Sequence, residues 1–254
     1  MLILPILPLY LSLNAFIEEG MRLALLERIV ATLAETANAV GVRVVAGDTK
    51  VLPRGEGSGL YLATTGVGVR TAGVRLGLDC IQAGDRILVS GPVGDHGIAV
   101  LLAREQFGLR GDLKSDAASV LPLTRAALKF EGLHFMRDPT RGGLATVCHE
   151  ISLAIGLGVR LQQTQIPIRD SVQSVCEMLG YDPLYLACEG RVVAVVAEAQ
   201  AEDLLTHWRR LPEGAEAALI GGVEERSPRV LLVTELGGER MLDELEDDPL
   251  PRIC

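Results

Sequence analysis

The stretch His134-Phe135-Met136-Arg137-Asp138-Pro139-Thr140-Arg141-Gly142-Gly143-Leu144 decides how this chain folds. His134 to Met136 reads as a short strand, and the Asp-Pro that follows is the order expected where a helix begins. Proline lacks the amide hydrogen that a first helical turn leaves unbonded anyway, and an aspartate beside it accepts from nearby amides. Capping explains that pair. It does not explain Arg141 ahead of two glycines, which weaken a helix unless the backbone must come close to something. Phosphate or metal binding is therefore the favoured reading of Asp138, Arg141, Gly142 and Gly143.

Downstream, the helix continues to about Gly156. Strands are predicted near Val159 and over Arg191 to Ala197, then a helix from Ala199 to Arg210 and strands near Ala217 and Val230. Upstream, Arg86 to Ser90 is a strand, Asp95 to Glu105 a helix, and Asp116 to Phe130 a second helix distorted by Pro122. Earlier still, Pro8 to Leu13 is a strand, and Leu23, Leu26, Val30, Leu33 and Ala37 have the spacing of an amphipathic helix over Met21 to Val40, stopped by Gly41. Val42 to Ala46 and Leu60 to Val69 are further strands, with Gly47-Asp48-Thr49-Lys50 as a turn after the first. This alternation makes an α+β protein. Its expected divisions are an amino-terminal α/β domain over 1–76, which the resemblance given below makes a partial one, a mixed α/β domain over 77–240 opened by a linker at Gly77 to Gly84, and an extended tail over 241–254.

With aromatics at only 4%, Val, Leu, Ile and Ala must fill the core. A net charge of −9 argues against a nucleic-acid binder, which needs a basic face to neutralise phosphates. No apolar run reaches membrane-spanning length, and the opening Met1 to Leu7 is broken by proline and makes a poor signal peptide. Cys80, Cys148, Cys176, Cys188 and Cys254 show no CxxC pair and no zinc spacing, as expected of reduced thiols in a cytoplasmic protein. Four sit among apolar neighbours, but Cys254 is the last residue. It follows an acidic run, Asp243 to Asp248, and the proline-spaced Pro249-Leu250-Pro251, which forbids a helix. Ten residues of such extended chain span at most about 33–36 Å.

Other segments offer chemistry. Asp48, Thr49 and Lys50 put a carboxylate, a hydroxyl and an ammonium within reach of a Mg²⁺-bound polyphosphate, although a polar turn with a surface lysine would read the same. The glycine-rich turn around Gly94, Asp95 and His96 could cradle an anion at a helix start, or be a simple capped turn. Glu189, between apolar chain and a strand, suits a general acid or base with a raised pKa, or a hairpin surface.

Pro8-Leu9-Tyr10-Leu11-Ser12, Ile17-Glu18-Glu19-Gly20, Gly47-Asp48-Thr49-Lys50, Gly94-Asp95-His96-Gly97-Ile98, Met136 to Leu144 and the terminal Pro251-Arg252-Ile253-Cys254 occur in this order. Together they resemble the HypE family of hydrogenase maturation proteins, the carbamoyl dehydratases. The likeness runs from about Pro8 to the end, and its most specific element is the final Pro-Arg-Ile-Cys. It implies the aminoimidazole-ribonucleotide-synthetase-like fold, in which an amino-terminal domain dimerises and binds ATP with a larger carboxy-terminal domain. It also implies a reaction. A carbamoyltransferase partner loads Cys254, ATP activates the carbamoyl oxygen as a phosphate ester, elimination leaves a thiocyanate, and the cyanide passes to iron in a complex of other maturation proteins. By resemblance, Cys254 is the carrier and Lys50 and Glu189 are candidates for removing the carboxamide proton. Asp48 and Asp138 hold Mg²⁺ or phosphate. Thr49, Gly94, Asp95, His96, Arg141, Gly142 and Gly143 complete the ATP site.

Family members carry a further amino-terminal segment, with a glycine-rich run and aspartates for ATP and Mg²⁺, where this sequence has Met1 to Leu7. The expectation is a member shortened at that end, with impaired ATP binding and dimerisation. The alternatives are a remnant that only binds maturation partners and a superfamily relative such as selenophosphate synthetase or thiamine-phosphate kinase, neither of which needs a terminal cysteine.

Overall fold

The structure, a computed structural model, describes residues 6–70, 72–104 and 111–245. Its contacts fall into two compact units, residues 5–73 and residues from 74 onward. In the first, β1 (Ile6–Glu18) leads through α1 (Leu23–Ala39) to β2 (Arg43–Leu52), and β3 (Leu60–Arg70) follows. β1 lies in the middle, parallel to β2 and antiparallel to β3. Helix α1 stops at Gly41, whose φ of +75° lies in the left-handed region that favours glycine. Among the described residues of this unit only Ala37 and Val42 are buried. Val44, Val45, Val51, Tyr61, Val67 and Val69 on the outer strands, and Leu23 and Val30 on the helix, are exposed.

The turn expected at Gly47-Asp48-Thr49-Lys50 does not exist. These residues continue β2, opposite Leu13, Asn14, Ala15 and Phe16 of β1. Leu11 faces Val44 and Ser12 faces Ala46, so Val45 is the extra residue of a bulge. Just beyond it, a Cβ on Gly47 would overlap the Leu13 carbonyl oxygen. Glycine in a strand here marks a close backbone approach, and the polar residues after it ride on a strand edge.

The second unit is a seven-stranded sheet with helices on both faces. In chain order come β4 (Arg86–Val89), α2 (Asp95–Ala103), α3 (Leu121–Ala127), β5 (Leu133–Arg137), α4 (Gly143–Ile155), β6 (Gly158–Gln162), α5 (Asp170–Leu179), β7 (Val193–Val196), α6 (Glu198–Arg209), β8 (Ala218–Glu224), β9 (Val230–Val233) and β10 (Glu239–Leu242). The strand order is β10-β9-β6-β8-β4-β7-β5, antiparallel except for β6 beside β9. Period-two alternation splits the core. Ile87, Val89, Val193 and Val195 join the α4 side with Leu144, Val147 and Ile151, while Leu88, Ala194 and Val196 face α3 and α6 around Leu204 and Trp208. Trp208 is fully buried and its indole N–H donates to the Leu123 carbonyl at 3.0 Å, which satisfies the one polar atom it brings inside. A third cluster joins α2 to α5 through Ile98, Leu101, Val172 and Cys176.

The helix expected over Asp116 to Phe130 is shorter. It is α3 alone, and Pro122 lies in its first turn, where a missing amide hydrogen costs nothing, instead of bending its middle. Residues 111–120 are irregular. Helix α5 and strand β10 had no sequence expectation.

Candidate active site

One segment of the second unit organises the turns singled out from the sequence. Asp182 Oδ1 accepts from the Leu184 amide at 3.0 Å and starts a single 3-10 turn, Pro183–Tyr185. The carbonyl oxygens of Leu184 and Leu186 face Gly143, where a Cβ would stand 2.5 and 2.6 Å from them. Farther along, the Ala187 carbonyl accepts from Gly97 at 3.2 Å, the Cys188 amide donates to the Pro139 carbonyl at 3.0 Å, and Cys188 Sγ accepts from the Gly94 amide at 3.3 Å. The Glu189 amide then donates to Asp116 Oδ1 at 2.9 Å. This run of chain therefore brings Gly94, Asp95, His96, Asp138 to Gly143 and Glu189 together.

The glycines at the start of α4 answer to their own chain. Gly142 and Gly143 have φ of +71° and +60°, and a Cβ on Gly142 would overlap Thr146 Oγ1. Arg141 is exposed beside them, and Asp138 is half-buried. At α2 three amides of the expected anion cradle, those of Val93, Gly94 and Gly97, already donate to protein acceptors. His96 Nδ1 lies 2.8 Å from Ser115 Oγ. Glu189 is exposed, so its carboxylate is not enclosed by apolar chain as its neighbours suggested.

Behind these turns lies a buried charge cluster. Asp95, 2% exposed, takes Arg169 Nε at 3.0 Å and Arg191 Nη2 at 3.5 Å, and Arg191 Nε reaches Asp116 Oδ2 at 3.6 Å. Asp95 Oδ1 and Asp116 Oδ2 have no hydrogen-bond partner. Burial raises the Asp95 pKa and the charge of Asp116 adds to the rise, against the pull of Arg169 and Arg191. Sequence reasoning missed Arg191, Arg169 and Asp116. Arg191 was open to detection, because an arginine opening a strand that is otherwise β-branched and apolar needs a buried partner. Asp116 carried no signal beyond its place in a polar stretch.

Burial also pushes the Cys148, Cys176 and Cys188 thiols up to about 12. At pH 8 only about one in 10⁴ of such thiols is thiolate, the reactive form. All three are expected to resist iodoacetamide at pH 8 in the folded chain and to react in denaturant, as peptide mapping would read. Native alkylation of Cys188 would mean that the Gly94 turn opens readily.

Asp48, Thr49 and Lys50 belong to the first unit. They are exposed on β2, where strand alternation puts Asp48 and Lys50 on one face and Thr49 on the other, and the Thr49 amide donates to Asp48 Oδ1 at 2.8 Å. Cys254 and the rest of 246–254 lie outside the described residues.

Residues 6–70 match the amino-terminal domain of AIR synthase related proteins, and residues 82–233 match their carboxy-terminal domain. The carbamoyl dehydratase HypE of Azotobacter vinelandii is 45% identical over 249 residues, 97% of this chain and 73% of that protein. Among solved structures, the hydrogenase maturation protein HypE in complex with ATP superposes with a TM-score of 0.91 at 39% identity, covering 97% of this chain and 76% of that one. A HypE–HypF complex superposes with a TM-score of 0.90 at 38% identity, covering 95% and 79%.

Proposed function

Because the chain belongs to the HypE family of carbamoyl dehydratases, we propose that it dehydrates a carbamoyl group carried on Cys254, using ATP as co-substrate. An amide oxygen leaves badly, so ATP first makes it a phosphate ester, S–C(OPO₃²⁻)=NH, with release of ADP and a proton. Loss of the remaining N–H proton then expels phosphate and forms S–C≡N. Two candidates for that proton are Lys50 and Glu189, both exposed to incoming groups. The observation that carries the reading is 45% identity to a carbamoyl dehydratase over nearly the whole chain.

The residues proposed to bind ATP are Thr49 in the first unit and, in the second, Gly94, Asp95, His96, Arg141, Gly142 and Gly143. Mg²⁺ would neutralise phosphate charge. Among the described residues no three carboxylate, histidine or cysteine side chains converge on a ready-made metal site. Mg²⁺ commonly takes only one or two carboxylates beside phosphate oxygens and water, and Asp48 of the first unit and Asp138 of the second are each proposed as such a ligand. The partners proposed are a carbamoyltransferase such as the HypF seen with a relative and an iron-carrying maturation complex that takes the cyanide. A homodimer is proposed for a chain that carries the family's whole amino-terminal segment, and the exposed valines of β2 and β3 are apolar surface that suits it. The domain division 1–76, 77–240 and 241–254 and a cytoplasmic location belong to the same proposal. Among the described residues no helix is long and apolar enough to cross a membrane.

Mass spectrometry of the carbamoylated chain tests this. On adding Mg·ATP the adduct should lose the mass of one water, with one ADP and one phosphate formed per chain. An adduct unchanged by ATP would overturn the reading. Asp138→Asn should load normally but dehydrate about 10²-fold more slowly, the usual scale for losing one preorganised electrostatic group.

A further inference from the structure

The turn that packs on Gly143 also holds the root of the carboxy-terminal tail. Leu242, the last residue of β10, is buried at 1% exposure. From β10, Arg240 Nη2 donates to Asp182 Oδ2 at 2.8 Å. The residue after the strand, Asp243, offers its carbonyl to the Tyr185 hydroxyl at 2.7 Å. Two residues on, Leu245 lies against Gly142, 3.2 Å from where a Cβ there would stand. Asp182, which caps one 3-10 turn, and Tyr185, its last residue, thus both hold the tail root, while the Leu184 and Leu186 carbonyls face Gly143. Burial holds the Tyr185 hydroxyl above its usual range, with the charge of Asp182 adding to the effect, so it remains a donor at neutral pH.

We propose that Tyr185, with the Asp182–Arg240 pair, is an anchor that launches the carrier tail from the edge of the Gly142-Gly143 turn, making Tyr185 a positioning residue for the group on Cys254. The inference rests on the proposed function. Nine residues follow Leu245, and extended chain of that length reaches at most about 30–32 Å. The anchor therefore fixes where the carrier segment begins relative to the α4 turn, since Asp243 is held by Tyr185 and Leu245 lies against Gly142. Loading by a separate partner does not require that turn.

Tyr185→Phe removes the hydroxyl and keeps the ring. Hydrogen exchange, single-turnover dehydration, carbamoyl loading and ATP affinity are to be measured on the full chain. The expected result is faster exchange over 243–245, dehydration slowed about 3–5-fold, as the loss of one ordinary hydrogen bond would do, and unchanged loading and ATP affinity. Adding Arg240→Ala should deepen the dehydration defect with the same split. A general structural defect would move ATP affinity and loading as well. Unchanged exchange would overturn the anchor, and faster exchange with undiminished dehydration would overturn its role in positioning. If the wild-type chain loads but never dehydrates, the proposed function fails instead, and the exchange result still decides whether the anchor exists.

Discussion

The Cys254→Ala variant is expected to accept no carbamoyl group at all, and so to form no thiocyanate at any ATP concentration. A methyl side chain cannot make the bond, and the other thiols offer no substitute. Cys148, Cys176 and Cys188 are buried with pKa values near 12. Cys80, half-buried, has its sulfur 3.9 Å from the Arg75 carbonyl and 3.8 Å from Asp79. The fold is expected to be unaffected, with a stability change of no more than about 0.5 kcal/mol. Intact mass after incubation with the carbamoyl donor reads the first expectation, and a thermal melt reads the second. Adduct retained in the variant and mapped to Cys80 would remove the carrier role from the tail.

Legibility in the sequence followed the physics of each segment. The strand before α4 was readable from local rules, but the helix start was placed too early: α4 begins at Gly143 behind Gly142 with no side chain capping it, so Asp138-Pro139 belongs to the turn between strand and helix. The purpose of Gly142 and Gly143 was only half readable. The requirement for close approach was correct, but what approaches Gly143 is the Leu184 and Leu186 carbonyls, a contact between residues about forty apart. At Gly47 the same kind of rule misled. Glycine followed by Asp and Thr looks like a turn when read locally, and only its pairing with Leu13 shows a bulged strand. Helix α5 was overlooked although Val172, Val175 and Cys176 share one face, because that face packs on α2 rather than on the sheet. The charge cluster lay deepest of all, since Asp95, Asp116 and Arg191 are far apart in sequence and nothing local records their meeting. The candidate site was legible as separate turns, whereas their assembly by residues 182–191 was not.

That hidden cluster carries the largest expected stability effect. Arg191→Met should cost about 3–5 kcal/mol, the range found when one partner of a buried ion pair is removed. The Arg191 side chain is 12% exposed and reaches both Asp95, 3% exposed, and Asp116, 0% exposed. It also donates to the Pro92 carbonyl at 2.9 Å and lies against Gly91. Methionine fills much of that space but brings no charge, so two buried carboxylates are left with only Arg169 on Asp95. One of them must then hold a proton. Asp95 already has a pKa raised by burial, which Arg191 opposes, so removing Arg191 raises it further. A carboxyl whose folded pKa exceeds its unfolded one favours folding while protonated and loses that contribution as pH climbs through the folded value. The deficit of the variant should therefore grow as pH rises from the ordinary carboxylate value of 3.8 toward the raised folded value, and be larger at pH 7 than at pH 5. Arg191→Lys should recover part of the loss, because a single ammonium carries the charge but cannot span both carboxylates as the guanidinium does. Urea unfolding of the three chains at pH 7 and pH 5 measures each expectation. A deficit that stays constant between those pH values would mean that the two aspartates do not depend on Arg191 for their charge, and that the cluster is held by packing instead.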